Sequence, residues 1–146
     1  MSSYQAGVRW ISDGAFAAGQ YSRDHTLVFD GLTVKGSASQ AIVPPGTASA
    51  DAVDPEELFV ASLAQCHMLW FLDLARRAGV VVESYEDQAE GVLARNDLGQ
   101  KVMTEVTLRP RLVSNATQEQ LADLHHQAHA VCFIANSVKT VVTIEL

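Results

Sequence analysis

The stretch VDPEELFVASLAQCHMLWF, residues 53–71, decides how this chain reads. Asp54 suits a helix N-cap and Pro55 the first helical position. Glu56 and Glu57 put negative charge in the first turn, where the helix dipole favours it. The pattern predicts a helix from Pro55 to about Ala78, stopped by Gly79 and carrying Arg76 and Arg77 in its last turn. Its apolar residues, from Leu58 and Phe59 through Leu63 and Met68 to Trp70, Phe71 and Leu74, cover nearly the whole circumference. A helix apolar all round is a buried one. A chain of this size has trouble covering such a helix on every side, so a partner subunit is expected over part of it.

Working outward, the segment before the helix, residues 41–54, holds Pro44, Pro45 and Gly46 and reads as a loop. Upstream, YQAGVRWI and HTLVFDGLTVKGSAS are rich in β-branched and aromatic residues punctuated by glycine, which predicts two or three antiparallel strands. Downstream, residues 80–113 read as one long hairpin turning at Asn96 to Gly99. TQEQLADLHHQAHAVCF is a second helix opened by a Thr117/Gln120 capping-box pair, and SVKTVVTIEL is a terminal strand. The expectation is a single α+β domain, residues 1–146, with antiparallel sheets and a long buried central helix.

Composition narrows the function. The 146 residues are 48% apolar and 18% charged, enough for one proper core, and the net charge is −7. That balance disfavours a nucleic-acid partner and binding to anionic membranes, both of which need clustered Lys and Arg. The N-terminus shows no basic region followed by an apolar stretch, and no apolar run is expected to reach the roughly 18 residues of a membrane span. A cytoplasmic location follows as an expectation. Two cysteines, Cys66 and Cys132, are too few for a secreted disulfide scaffold.

Cys66 shares a helical face with Phe59, Leu63, Leu69 and Trp70, which would form an apolar pocket wall. Apolar surroundings alone raise a thiol's pKa and leave it inert, so reactivity requires a cation from elsewhere. Arg76 and Arg77 are about 15 Å along the same helix and out of reach. Arg23 differs from the other basic residues in lying in a loop before a strand. Cys132 ends the second helix with His125 and His129 on its face, a set that raises a metal or redox-sensing alternative, although no Cys-x-x-Cys or His-Glu-x-x-His pattern is present. A plain buried thiol in a non-catalytic stress or small-molecule binding protein is the other alternative.

DPEELFVASLAQCHM, SRDH upstream and AHAVCFIANSVKTVVTIEL at the end resemble the osmotically inducible and organic hydroperoxide resistance family, OsmC/Ohr, over nearly the whole chain. The resemblance implies an intertwined homodimer with sites at its interface. It implies a cysteine-based peroxidase that reduces organic hydroperoxides, needs no cofactor or metal, and is restored by an external dithiol reductant. Carried over by position, Cys66 is the nucleophile, Arg23 holds it as thiolate, Glu56 orients Arg23, and Cys132 resolves the product. Two positions depart from the family pattern: Phe133 follows Cys132 where family peroxidases usually have proline, and His67 follows Cys66 where many members have an aromatic residue.

Overall fold

The computed structural model describes residues 1–146. The chain divides into two compact units, Met1–Leu58 and Phe59–Leu146. The boundary falls within the first turn of the long helix, where the sequence alone reads as one uninterrupted domain.

In the first unit, strands β1 (Gly7–Arg9), β2 (His25–Phe29) and β3 (Leu32–Gly36) form an antiparallel meander in the order β1-β2-β3, as the sequence predicts. The β2–β3 turn needs a left-handed residue and uses Gly31, φ 70°. The long loop after β3 is tied back by Ser37 N–H to Val53 O, 3.0 Å, and Val53 N–H to Lys35 O, 3.1 Å. Beneath it the Asp24 carboxylate accepts from Ser49 Oγ (2.6 Å) and Ser37 Oγ (2.8 Å), and these hydroxyls hold its pKa below the usual value.

The second unit holds nearly all of α1 (Pro55–Arg77), then β4 (Val82–Asp87), β5 (Glu90–Arg95), β6 (Lys101–Leu108), β7 (Pro110–Ser114), α2 (Gln118–Val131) and β8 (Val141–Ile144). The predicted single hairpin is broken into two ladders, β5 with β6 around the Asn96–Gly99 turn and β4 with β7 beyond them. The break comes at Arg109, whose N–H donates to Asp87 Oδ1 (2.7 Å) and not to a strand carbonyl. Two bulges lie on opposite arms: Glu83 is the extra residue between Val82 and Ser84, and Thr104 is the extra residue facing the Val92/Leu93 step. β8 pairs with β6 in parallel, so the antiparallel expectation fails for that pair alone.

Both helices start on reciprocal caps. Asp54 Oδ1 accepts from Glu57 N–H (2.8 Å) while Glu57 Oε2 accepts from Asp54 N–H (3.0 Å), a box of which the sequence reading had only the Asp54 half. The Thr117/Gln120 box at α2 is as predicted.

Along α1 a single stripe, Leu63, His67, Phe71 and Ala75, is buried within the chain. The single chain covers only this stripe, and the remaining faces are those over which the sequence predicts a partner subunit. Those faces stay partly exposed, and Leu69 is 55% exposed. α1 also meets the length and apolarity of a membrane span, contrary to the expectation that no run does, yet its buried stripe is packed into the core. Leu63 joins Val106 and Leu108 in one buried cluster, and Phe71 and Ala75 join Val80, Leu124 and Ala128 in another.

Candidate functional site

The two cysteines lie on different helices of the second unit, Cys66 in the middle of α1 and Cys132 as the C-cap of α2. Both are free thiols, Cys66 half-buried and Cys132 1% exposed. They are neighbours: burial pushes the Cys132 thiol up to about 11, and the adjacent Cys66 sulfur adds to that rise. Cys132 therefore keeps its proton at neutral pH. Its sulfur accepts a hydrogen bond from Ala135 N–H, 3.4 Å, in the short helical turn Ala135–Ser137 that follows α2.

Next to the sulfurs the helix seam is polar. His67 Nε2 and His125 Nδ1 are 2.9 Å apart in a buried hydrogen bond, with the ring planes within 4° of parallel. One ring donates and the other accepts, so the bond requires the accepting ring to be neutral and is lost if both are protonated. Burial brings both imidazoles down to about 4, with His125 and His129 adding to the shift at His67. His67 Nδ1, His125 Nε2 and His129 Nδ1 are buried without a partner in the protein. Sequence spacing predicts that His125 and His129 pack or hydrogen-bond at an interface, with a metal site as the alternative, and does not pair His125 with His67. The signal was there in the four-residue spacing Leu63, His67, Phe71, Ala75, which puts His67 on the core stripe. No group of three or more His, Cys, Asp or Glu side chains is arranged to hold a metal ion.

The four residues expected to wall a pocket do not stand together. Leu63 is core, Phe59 packs beside it, Trp70 packs against the other cluster and meets Phe133 edge-on at 5.3 Å, and Leu69 points outward. Trp70 and Phe133 thus bring an aromatic pair beside the two cysteines' positions, and Phe133 itself is 67% exposed.

In the first unit, the Arg23 guanidinium donates through Nη1 to Tyr21 O (2.6 Å) and Gly19 O (3.2 Å) and lies 3.7 Å over the Tyr21 ring. Tyr21 is packed with Trp10 and Phe16, ring centroids 5.1–5.8 Å apart. Arg23 forms no ion pair with Glu56 within the chain, and Glu56 Oε2 is buried without a partner.

A mixed α+β fold in which each of two helices contributes one thiol to a shared position defines the class. Residues 46–146 match the family of OsmC-like proteins, and the chain belongs to that family. It is similar to an OsmC-like protein of unknown function from Vibrio cholerae, with 46% identity over 99% of each chain and a TM-score of 0.95. The fold is also that of organic hydroperoxide resistance proteins from Elizabethkingia anophelis (21% identity, 99% of this chain and 95% of that chain, TM-score 0.71) and Legionella pneumophila (20%, 100% and 97%, 0.71). No protein of curated function matches the chain.

Proposed function

We propose that this protein is a two-cysteine peroxidase that reduces organic hydroperoxides. The observation that carries the reading is the pairing of Cys66 with Cys132: a half-buried thiol beside a fully buried one that keeps its proton. Cys66 as thiolate attacks the distal peroxide oxygen, the O–O bond breaks, and the alkoxide leaves and takes up a proton as the alcohol. Cys66 is then a sulfenic acid. The Cys132 sulfur attacks it, the S–O bond breaks, water departs with the thiol proton, and a disulfide joins α1 to α2. An external dithiol returns both thiols by exchange.

Arg23 is the cation that holds Cys66 ionised, and Glu56 orients it, both acting across a homodimer. Two observations support that assignment: Glu56 Oε2 is buried yet lacks a partner in its own chain, and Glu56 stands about 15 Å along α1 from Cys66. Exposed apolar side chains such as Leu69 and Phe133 supply a surface for a second copy and for an organic peroxide.

The test is a thiol titration before and after one equivalent of cumene hydroperoxide. Two thiols should disappear in the wild type, Cys132→Ser should trap a sulfenic acid, and Cys66→Ser should not react. Survival of both wild-type thiols would sink the peroxidase reading and leave a non-catalytic binding protein. Sedimentation should give a dimer, and Arg23→Ala should slow thiol loss at neutral pH while leaving the dimer intact.

A further inference from the structure

An apolar contact has no direction, so a helix that is apolar around most of its circumference has little to decide which face it turns to a neighbour. α1 is such a helix, yet it must present Cys66 to Cys132 and no other residue. The His67–His125 hydrogen bond is a directional contact between side chains of the two helices: it is 2.9 Å long, both rings are at most 2% exposed, and their planes are within 4° of parallel. His67 adjoins Cys66 in the chain. His125 lies seven residues before Cys132, two helical turns along the same face. Turning or sliding α1 by one residue would break the bond and strand ring nitrogens in the core, which is costly.

We propose that His67 and His125 are positioning residues, a buried pin that fixes the register of α1 on α2 and so holds Cys66 against Cys132. A buried polar pair of this kind contributes little net stability, and its use is to specify one arrangement among several of similar packing. The titratable groups beside the pin are His129 on α2, which adds to the shift at His67, and Tyr85 on β4, whose ring is 6.4 Å from His125. Neither supplies a hydrogen-bond partner to the outer nitrogens of the pair.

The inference rests on the two-thiol reading for its purpose but not for its test, because disulfide closure can be measured without peroxide. Oxidised dithiothreitol and the reduced protein exchange to a Cys66–Cys132 disulfide and reduced dithiothreitol, and the equilibrium reports how well the sulfurs are held together. The double variant His67→Leu/His125→Leu is expected to melt no lower than the wild type, yet its closure constant should fall at least about tenfold. His67→Gln, whose amide reaches the Nε2 position, should stay within about threefold of the wild type. His67→Asn, one carbon shorter, should fall with the double variant, which keeps the test open even if the leucine pair does not fold.

Equal closure in all of these variants overturns the pin and leaves the peroxidase reading untouched. Wild-type closure without peroxide consumption overturns the peroxidase reading and leaves the pin. A wild type that forms no disulfide under any oxidant overturns both.

Discussion

Phe71 lies against the His125 ring, with centroids 4.2 Å apart and planes 24° from parallel. With His67 hydrogen-bonded to the same ring edge to edge, the His125 imidazole is shut away from water, which is why its proton affinity is so low. Both histidines bind a proton in the unfolded chain near pH 6.5 but in the folded protein only near 4. Above 6.5 the pair is neutral in both states and favours neither. Between 6.5 and 4 the unfolded chain binds more protons, so stability falls as the pH falls, by up to about 1.4 kcal/mol per pH unit for each ring. Urea unfolding from pH 8 to pH 4 should show that loss, and His67→Gln should flatten it.

Burial and the Cys66 sulfur together hold the Cys132 proton, so its thiolate becomes abundant only near pH 11. Iodoacetamide at pH 8 should therefore label Cys66 well before Cys132, and in denaturant the two should label alike. Equal labelling rates in the folded protein would contradict the placement of Cys132.

Gly91 in β5 allows α1 and β6 to come close. A methyl group there would lie 2.5 Å from both Val60 Cγ2 and Met103 Cε. The Met103 tip can swing aside, whereas Val60, on the helix, has less freedom. Gly91→Ala is expected to cost about 1–3 kcal/mol in chemical denaturation.

The α1 cap is a smaller device. Asp54→Ala removes the acceptor of the Glu57 N–H and leaves the backbone N–H of position 54 donating to the Glu57 carboxylate. The expected loss is about 1 kcal/mol, with no change in the number of reactive thiols.

Much of this architecture is written in local signals. The two helices, their caps, the Asn96–Gly99 turn and the meander of β1 to β3 follow from capping residues, glycine positions and alternation, each acting over a few residues. What escapes such a reading depends on partners distant in sequence. The break of the long hairpin requires Asp87 to meet the Arg109 N–H, the parallel seat of β8 requires β6, and the His67–His125 bond joins rings 58 positions apart. A shared helical face does not say which of its residues meets a strand: Leu63 does and Leu69 does not. Cys66 and Cys132 were legible as chemistry, but their adjacency was a matter of how α2 returns onto α1.

The two bulges of the hairpin also determine where its length can change. Glu83 and Thr104 are spare residues: every pair from Val82↔Ser114 to Arg95↔Lys101 keeps its partner without them. Deleting either should straighten the local twist and leave the pairing intact. Deleting Val106 instead would turn its neighbours along the strand to the wrong face, carrying Leu108 out of the core. Insertions and deletions in this chain should therefore settle at those two positions, one on each arm, and spare the ladder between them.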